Sequence, residues 1–390
     1  MNSTFVPSSD TLVAQVAEPR ESRAIRLILY AVVFILTVGG NIMVCIVVLK
    51  NKKLRSFQRF YNGYYLMSLA CADLCVALLC IPFTIVYYET GVWPFGAAIC
   101  KMVPTLQVTS VSASIFTLTV MTYERYQAIV RPMKAQITRR KVFIMLVSAW
   151  LAAFVTGSPE IFAFQLAQNT TEHLPCNEYW PQPIHRQIYT MVLFSCTYLV
   201  PLLIIFPAYV KMIITLKRSH SFNNSDRKAR WRSLRVLMAV VMIFAISYLP
   251  QHSMFIALDF GHAKSFRYFE ITLKYMYLLI WVASCSNPII YGALDEYFRQ
   301  GYRRILRRCI AFRSRGRNAA RQMSNSSAVT FIKRNSSRKR DTSLADTPAS
   351  PTENMLQPSP PSNHVTPGSA TTRSLLNSVQ TSDSDINNSI

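Results

Sequence analysis

The chain has 390 residues, of which 51 % are hydrophobic and 16 % are charged, and its formal net charge is +23. Length alone would allow two or three soluble domains, but so apolar a composition with so few charges argues against them. The apolar residues collect in seven runs, each close to the ~20 residues that a helix needs to cross a bilayer.

The first 23 residues lack the apolar core of a signal peptide, so the first apolar run is predicted to act as the insertion signal. The patterning predicts a bundle over 24–293, with helices at 24–50, 61–88, 97–130, 141–166, 187–217, 231–260 and 270–293. Short links between them force neighbouring helices to run antiparallel. The predicted fold class is an all-α membrane protein, a seven-transmembrane helix bundle with an amphipathic eighth helix.

Lysine and arginine concentrate in the links after the first, third, fifth and seventh runs. The positive-inside rule makes those links cytoplasmic, so 1–23 is predicted to be extracellular and the C-terminus cytoplasmic. The basic charge therefore indicates topology, and we expect no nucleic-acid partner. Glycosylation sequons at Asn2 and Asn169 fall on the extracellular side, although a third at Asn223 lies in a cytoplasmic link.

Beyond the last run, 294–309 alternates apolar and basic residues at helical spacing. This pattern predicts an amphipathic helix on the inner membrane surface, with its cations at the lipid headgroups. Cys309 at its end is a predicted palmitoylation site, and the alternative is an ordinary buried thiol. Residues 310–390 are rich in Ser, Thr, Asn, Pro and Arg, which predicts a disordered cytoplasmic tail with phosphorylation sites.

Four polar residues, Asn41, Asp73, Ser114 and Asn287, lie in four different runs near mid-membrane. Because polar groups in hydrocarbon are costly, they are expected to face the bundle interior. They suit either a sodium ion held by oxygen ligands or a hydrogen-bonded network that stabilises the bundle. The triplet 124–126 ends the third run on the cytoplasmic side, where a charged pair can also simply reach the headgroups.

The order of these motifs resembles the rhodopsin-like, class A family of G-protein-coupled receptors over residues 24–309. The matching residues are Gly40-Asn41, Leu69-Ala70-Cys71-Ala72-Asp73, Cys100, Glu124-Arg125-Tyr126, Trp150, Pro201, Tyr209, Phe244, Pro250 and Asn287-Pro288-Ile289-Ile290-Tyr291. Cys100 and Cys176 are the two cysteines at predicted extracellular positions, and the family joins them in a disulfide.

The resemblance also implies roles for residues of the inner half. Arg125 would be the cytoplasmic switch, held by Glu124 at rest and meeting Tyr209, Tyr291 and the G protein when active. Its motif partners are Tyr126, Asn287 and Pro288. The core trigger would comprise Ile115, Pro201 and Phe244, with Tyr248 standing where the family usually has tryptophan. Arg230 stands where some relatives carry an acid, so their lock to the switch arginine cannot form.

Outer residues indicate the class of ligand. Gln107 lies about 27 Å above Arg125, where amine receptors have an aspartate, and Trp281 stands where a retinal-binding lysine would be. Thr84, Gln107 and Asp259 instead resemble receptors for peptides ending in Arg-Phe-amide or Arg-Tyr-amide, such as the neuropeptide FF, pyroglutamylated RF-amide and neuropeptide Y receptors. There the acid pairs with the peptide's arginine while threonine and glutamine hold the terminal amide.

Four residues would line the pocket beneath: Gln251, His252, Phe255 and Tyr277. Tyr277 departs from neuropeptide Y receptors, which have a histidine there. The competing interpretation makes Asp259 a solvated charge at a helix end and Thr84 a structural hydroxyl.

The sequence therefore predicts a plasma-membrane peptide receptor that is not an enzyme. Its expected partners are an extracellular peptide, a heterotrimeric G protein, membrane lipid, and arrestin and receptor kinases at the tail. No cofactor is expected apart from an allosteric sodium ion, with no metal beyond sodium at Asp73. Alternatives are a class A receptor for another peptide or a small lipid, or a transporter, which should show repeated halves and broken helices.

Overall fold

Seven helices in the described part of the chain are long and apolar enough to cross a membrane. The computed structural model describes residues 18–50, 57–132, 138–167, 175–218, 224–261 and 266–311, with side chains from 63 in the second range and from 227 in the fifth. These residues all belong to the first of two units of the chain, Met1–Arg317 and Asn318–Ile390. The predicted fold class, a seven-transmembrane helix bundle, is confirmed.

We number the helices α1 to α8 in chain order. Two of the spans contain a π-helical turn between their halves, and one bends at a proline. The bounds are α1 Arg20–Lys50; α2 Phe57–Cys75, Val76–Cys80 and Ile81–Thr90; α3 Gly96–Val130; α4 Arg139–Gly157 and Pro159–Ala163; α5 Pro183–Phe194, Ser195–Leu199 and Val200–Arg218; α6 Asn224–Phe260; α7 Phe269–Leu294; and α8 over 296–311.

Proline explains the π-helical turns of α2 and α5. Pro82 and Pro201 each come two residues after the end of a π-helical turn, Val76–Cys80 and Ser195–Leu199 respectively. Because proline has no N–H to donate to the preceding turn, the helix widens there. The extra residue in each turn changes which face the other half of the helix presents, and Thr84 lies in the half of α2 that follows its turn.

The prediction that the fourth helix extends to 166 is wrong. α4 ends at Ala163, and Phe164–Leu166 forms strand β1, which pairs antiparallel with strand β2, Cys176–Glu178. Backbone pairing between the strands replaces the helical hydrogen bonds, a tertiary effect that hydrophobic periodicity does not report.

The predicted disulfide is present between Cys100 on α3 and Cys176 on β2, two residues 76 positions apart. The disulfide lies in an apolar cluster with Trp93 and Val103. It ties the β1–β2 hairpin to the end of α3. The hairpin thereby carries Glu178 over the neighbouring helices.

Apolar side chains lie both on the outside of the bundle and in its interior, as a membrane bundle requires. Phe143, Leu151 and Phe206 are exposed on the outside of the helices, where hydrocarbon would cover them. Inside, one apolar cluster fills the half around Tyr291 and a second fills the middle around Trp281. The bundle is therefore packed from within while its outer surface suits lipid.

A buried group of ions, which we call the Arg26 cluster, joins α1 to α2 at the end of the bundle that carries the disulfide. We call this the outer end of the bundle and the opposite one the inner end. Arg26, whose side chain is fully buried, donates from Nε and Nη2 to Glu18 at 3.0 and 2.5 Å. Its Nη1 lies 2.6 Å from Glu89 Oε1, an ion pair without good hydrogen-bond angles. Arg23 Nε donates to the other Glu89 oxygen at 2.6 Å. The hydrogen bonds from Arg26 hold the pKa of Glu18 below its usual value.

Helix α8 follows the last span. Phe298 is buried with its ring centroid 5.5 Å from that of Tyr291, and Tyr302 Oη donates to the Pro288 carbonyl at 3.3 Å. Cys309 is exposed, so the buried-thiol alternative is wrong, whereas its palmitoylation stays a prediction. The glycosylation sites Asn2 and Asn169, and the tail beyond 311, lie outside the described residues.

Candidate functional site

The outer acid Asp259 lies in the last turn of α6 and already has partners. Its Oδ1 is 3.0 Å from Arg186 Nε, its Oδ2 accepts a hydrogen bond from Thr190, and its carbonyl accepts one from Gln187 at 2.8 Å. Only 2 % of the Asp259 side chain is exposed. The interpretation of Asp259 as a solvated helix-end charge is therefore wrong.

The partner arginine joins two acids. Arg186 Nε is also 3.5 Å from Glu178 Oε2, and Trp180 Nε1 donates to the other Glu178 oxygen at 2.5 Å. Sequence reasoning missed Arg186. A usable signal was its spacing, because Arg186 and Thr190 are four residues apart and so lie on one face of α5.

A third acid lies beside this pair. Glu160, at the outer end of α4, is only 7 % exposed, and its Oε2 has no hydrogen-bond partner among the described residues. It lies within electrostatic range of Glu178 and Arg186. We call Glu178, Asp259 and Arg186 the Arg186 cluster; its formal charge is −1, which suits a cation.

The other predicted pocket residues differ in the contacts that their side chains make within the receptor. Thr84 donates its hydroxyl proton to the Cys80 carbonyl at 3.0 Å, as the structural interpretation expects, although its oxygen keeps acceptor capacity. Gln107, Gln251 and Phe255 are half-buried on α3 and α6.

Two of the predicted pocket residues pack in aromatic groups. His252 is buried with its ring 5.2 Å from Tyr198 and 5.6 Å from Phe194, on the α5 side of α6. Tyr277 contacts the rings of Tyr88 at 5.3 Å and Trp281 at 6.1 Å. These contacts place His252 against α5 and Tyr277 against α2, on different sides of the bundle.

Three of the four polar mid-membrane residues come together. Asn287 Nδ2 donates to Asp73 Oδ2 at 2.8 Å, and both residues line a cavity of about 30 Å³ with Ser114 and Ser284. That volume holds one or two waters or a small ion. Asn41 instead donates to main-chain carbonyls, those of Thr37 at 3.0 Å and Ser284 at 3.3 Å. The Asn41 side chain therefore bonds to the main chain next to the cavity and does not line the cavity itself.

The core-trigger residues surround the same cavity from the outer side. Phe244 and Tyr248 both line it, and their rings are 4.6 Å apart. Ile115 is buried in the same apolar cluster, and Pro201 is buried on α5. A movement of Tyr248 would therefore directly change the surroundings of the polar residues around Asp73.

At the inner end, Glu124 is buried and Arg125 is half-buried at the base of α3. Arg125 lies within electrostatic range of Glu124, Tyr209 and Arg230. Arg230 donates from Nη1 to the Ala128 carbonyl at 2.7 Å. A basic residue on α6 thus contacts the main chain of α3, where an acid would have contacted Arg125.

The two tyrosines expected to meet Arg125 are buried. The hydroxyls of Tyr209 and Tyr291 have no hydrogen-bond partner among the described residues. Tyr291 packs on Phe298 of α8. Their meeting with Arg125 stays a prediction about another conformation.

Comparison with known proteins agrees with this arrangement. A family model described as 7 transmembrane receptor (rhodopsin family) matches residues 40–291. Human neuropeptide FF receptor 1 is 32 % identical over 308 residues, which cover 73 % of this chain and 70 % of the relative. Rat neuropeptide FF receptor 1 is 32 % identical, covering 71 % and 69 %, and rat neuropeptide FF receptor 2 is 29 % identical, covering 72 % of each.

Proposed function

Because the chain belongs to the rhodopsin family of seven-transmembrane receptors, we propose that it binds an extracellular peptide amide containing arginine and signals through heterotrimeric G proteins. It is a multi-pass membrane protein. The family consists of receptors, so the prediction that the chain is not an enzyme is confirmed, and the transporter alternative falls with it. The predicted resemblance to neuropeptide FF receptors is confirmed as well.

The observation that carries the peptide proposal is the setting of Asp259. Its carboxylate is buried and forms an ion pair with Arg186, whose Nε lies 3.0 Å from Asp259 Oδ1. Charge-assisted pairing of arginine with a carboxylate is among the stronger polar contacts in proteins, and it favours arginine over other cations. A site built to hold one guanidinium suits a ligand that brings another, and the relatives are receptors for a peptide by name.

Further roles belong to the same proposal. Thr84 and Gln107 hold the ligand's terminal amide, and Gln251, His252, Phe255 and Tyr277 line the space beneath. Signalling passes through Ile115, Pro201, Phe244 and Tyr248 to the switch formed by Arg125 with Glu124, Tyr126, Tyr209, Asn287, Pro288 and Tyr291. A sodium ion at Asp73, Ser114 and Asn287 would stabilise the resting form. A receptor for another peptide or a small lipid is the competing proposal.

The remaining parts of the proposal concern the two faces of the membrane. The N-terminus with Asn2, the loop with Asn169, and the disulfide lie outside. Arg125, α8 with its membrane-facing side and palmitoylated Cys309, and the tail lie inside. Receptor kinases and arrestin act on the tail. The basic links after the first, third, fifth and seventh spans support this orientation.

The test is a dose–response measurement on cells that express the receptor, with calcium and cyclic AMP readouts. We expect synthetic peptides ending in Arg-Phe-amide to activate the wild type. Asp259→Asn should raise the EC50 about 100-fold, because a buried charge pair with the ligand is lost, and Gln107→Ala about tenfold, because one hydrogen bond is lost.

Glu270→Gln serves as the matched control, because Glu270 is an exposed acid in the first turn of α7 on the same outer side. Its EC50 should equal that of the wild type. Activation of the Asp259 and Gln107 variants at wild-type potency would show that the ligand is recognised elsewhere.

A further inference from the structure

The acid proposed to receive the ligand's arginine is already bound to an arginine of the receptor. Both oxygens of Asp259 have partners, Arg186 Nε on one and the Thr190 hydroxyl on the other. The Asp259 side chain is 2 % exposed, whereas that of Arg186 is 25 % exposed. A ligand that approaches from outside therefore meets Arg186 before it meets Asp259.

Arg186 has a second acidic neighbour to which it can move. The Nε atom that lies 3.0 Å from Asp259 also lies 3.5 Å from Glu178. Glu160 is close by, buried, with one carboxylate oxygen that has no hydrogen-bond partner in the described part of the chain. The guanidinium can thus leave Asp259 and remain paired with the Glu178 carboxylate, which avoids the cost of a buried unpaired charge.

The charge balance allows a second guanidinium to enter. Two carboxylates, Asp259 and Glu178, and one guanidinium give the Arg186 cluster a formal charge of −1. Adding a ligand arginine brings the cluster to 0, so each of the two cations has one carboxylate. A cluster with one acid would instead hold only one of them.

Resting on the function proposed above, we infer that Arg186 is a resident substitute for the ligand's arginine: it pairs with Asp259 in the unliganded receptor and moves towards Glu178 when the ligand arrives. Arg186 then sets both the affinity threshold and the specificity of the site. A ligand group must match the directed hydrogen bonds of a guanidinium to displace it, and an ammonium group does so less well.

The experiment compares wild type, Arg186→Gln and Arg186→Lys on cells, with surface level measured through an epitope tag. The probes are a synthetic tetrapeptide ending in Arg-Phe-amide and the same peptide with citrulline, which is neutral, in place of arginine. Without the resident guanidinium, Arg186→Gln should lower the EC50 of the arginine peptide about tenfold. Arg186→Lys should give a smaller decrease, and it tests the inference if the glutamine variant fails to reach the surface.

Two controls make the result specific. Arg267→Gln removes an exposed arginine from the loop between α6 and α7 and should leave the EC50 unchanged. The citrulline peptide should gain nothing from Arg186→Gln, because it has no charge to pair with Asp259. An equal gain for both peptides would overturn the inference, since Arg186 would then act by bulk or by loop position.

Glu178→Gln tests the second position of Arg186. The variant leaves Arg186 paired with Asp259 and weakens the second position to which Arg186 would move. The EC50 of the arginine peptide should therefore rise about fivefold in the wild-type background. In the Arg186→Gln background the same change should have no effect. Equal effects in both backgrounds would show that Glu178 contacts the ligand directly and would contradict displacement.

The two proposals fail in different ways. If the arginine peptide does not activate the wild type, or acts equally on Asp259→Asn, the proposed function fails and this inference with it. If Asp259→Asn loses its response but Arg186→Gln is unchanged or weaker, the ligand site stands and the displacement inference is wrong. In that case Arg186 positions Asp259 for the ligand.

Discussion

Two arginines near the outer ends of the helices, Arg26 on α1 and Arg186 on α5, each lie between two carboxylates. Arg26 is fully buried, and its three contacts with Glu18 and Glu89 are between 2.5 and 3.0 Å long. Arg186 is 25 % exposed, and its Nε has one contact at 3.0 Å and one at 3.5 Å.

The two guanidinium groups differ in how many nitrogens contact the acids and in how easily each group can exchange one acid for another. Arg26 uses Nε, Nη1 and Nη2 on its acids and also lies over the Tyr30 ring at 5.3 Å, so any movement breaks several contacts at once. Arg186 uses a single nitrogen for two acids and can favour either. The same residue types therefore form a fixed structural clamp in one place and an exchangeable contact in the other.

The largest expected effect is on stability, from Arg26→Met. Removing the guanidinium leaves Glu18 without this partner and Glu89 with Arg23, which should cost about 3–5 kcal/mol of folding free energy. Thermal unfolding of the purified receptor and its surface level in cells measure this loss. Arg186→Met, at a partly exposed position, should cost about 1 kcal/mol.

A triple variant separates the charge effect from the loss of packing. Adding Glu18→Gln and Glu89→Gln to Arg26→Met removes the unpaired acids, and part of the lost stability should return. If Arg26→Met alone unfolds at the same temperature as the wild type, the Arg26 cluster does not stabilise the fold. The contrast between Arg26 and Arg186 would then disappear.

The next effect is a dependence on pH. The pKa of Glu18 is below its usual value because Arg26 donates to it. A carboxyl group whose pKa is lowered by folding stabilises the native state above its ordinary pKa of 4.5, and that contribution disappears as the pH falls through the lowered value. The difference in unfolding temperature between wild type and Glu18→Gln should be constant from neutral pH down to about 5 and shrink at lower pH.

The comparison with Glu18→Gln isolates one acid from the others that titrate in the same range. A difference that stays constant down to the most acidic pH tested would mean that Glu18 and Arg26 are not coupled. The clamp would then rest on Glu89 alone.

The smallest effect concerns Arg23, which contacts the same Glu89 from outside. Its side chain is 51 % exposed, so water and salt compete for its 2.6 Å contact. Arg23→Ala should cost less than about 1 kcal/mol, and the cost should fall as salt concentration rises. A loss as large as that of Arg26→Met would indicate that exposure does not distinguish these ion pairs.

Much of the fold could be predicted because it depends on local properties. Length and hydropathy predicted the seven spans, and the family resemblance implied the disulfide between Cys100 and Cys176. Polar residues within the spans predicted that Asp73 and Asn287, 214 positions apart, face the same interior. What failed was the end of α4, because pairing with β2 converts Phe164–Leu166 into a strand. Asn41 was expected either to help hold an ion or to join a hydrogen-bonded network, and its side chain donates to main-chain carbonyls of α1 and α7, as the second alternative expects.

The sequence by itself determined that this chain is a helical membrane bundle, which residues match the family motifs, and that Asp259 lies near the end of the sixth helix. These follow from runs of apolar residues and from spacing along single helices. Only the tertiary structure decided which charges meet: Arg26 with Glu89, and Asp259 with Arg186 and with Thr190, 69 residues away. A charge in a sequence has no partner until packing brings another helix within a few ångströms, and burial then fixes whether that partner can be exchanged.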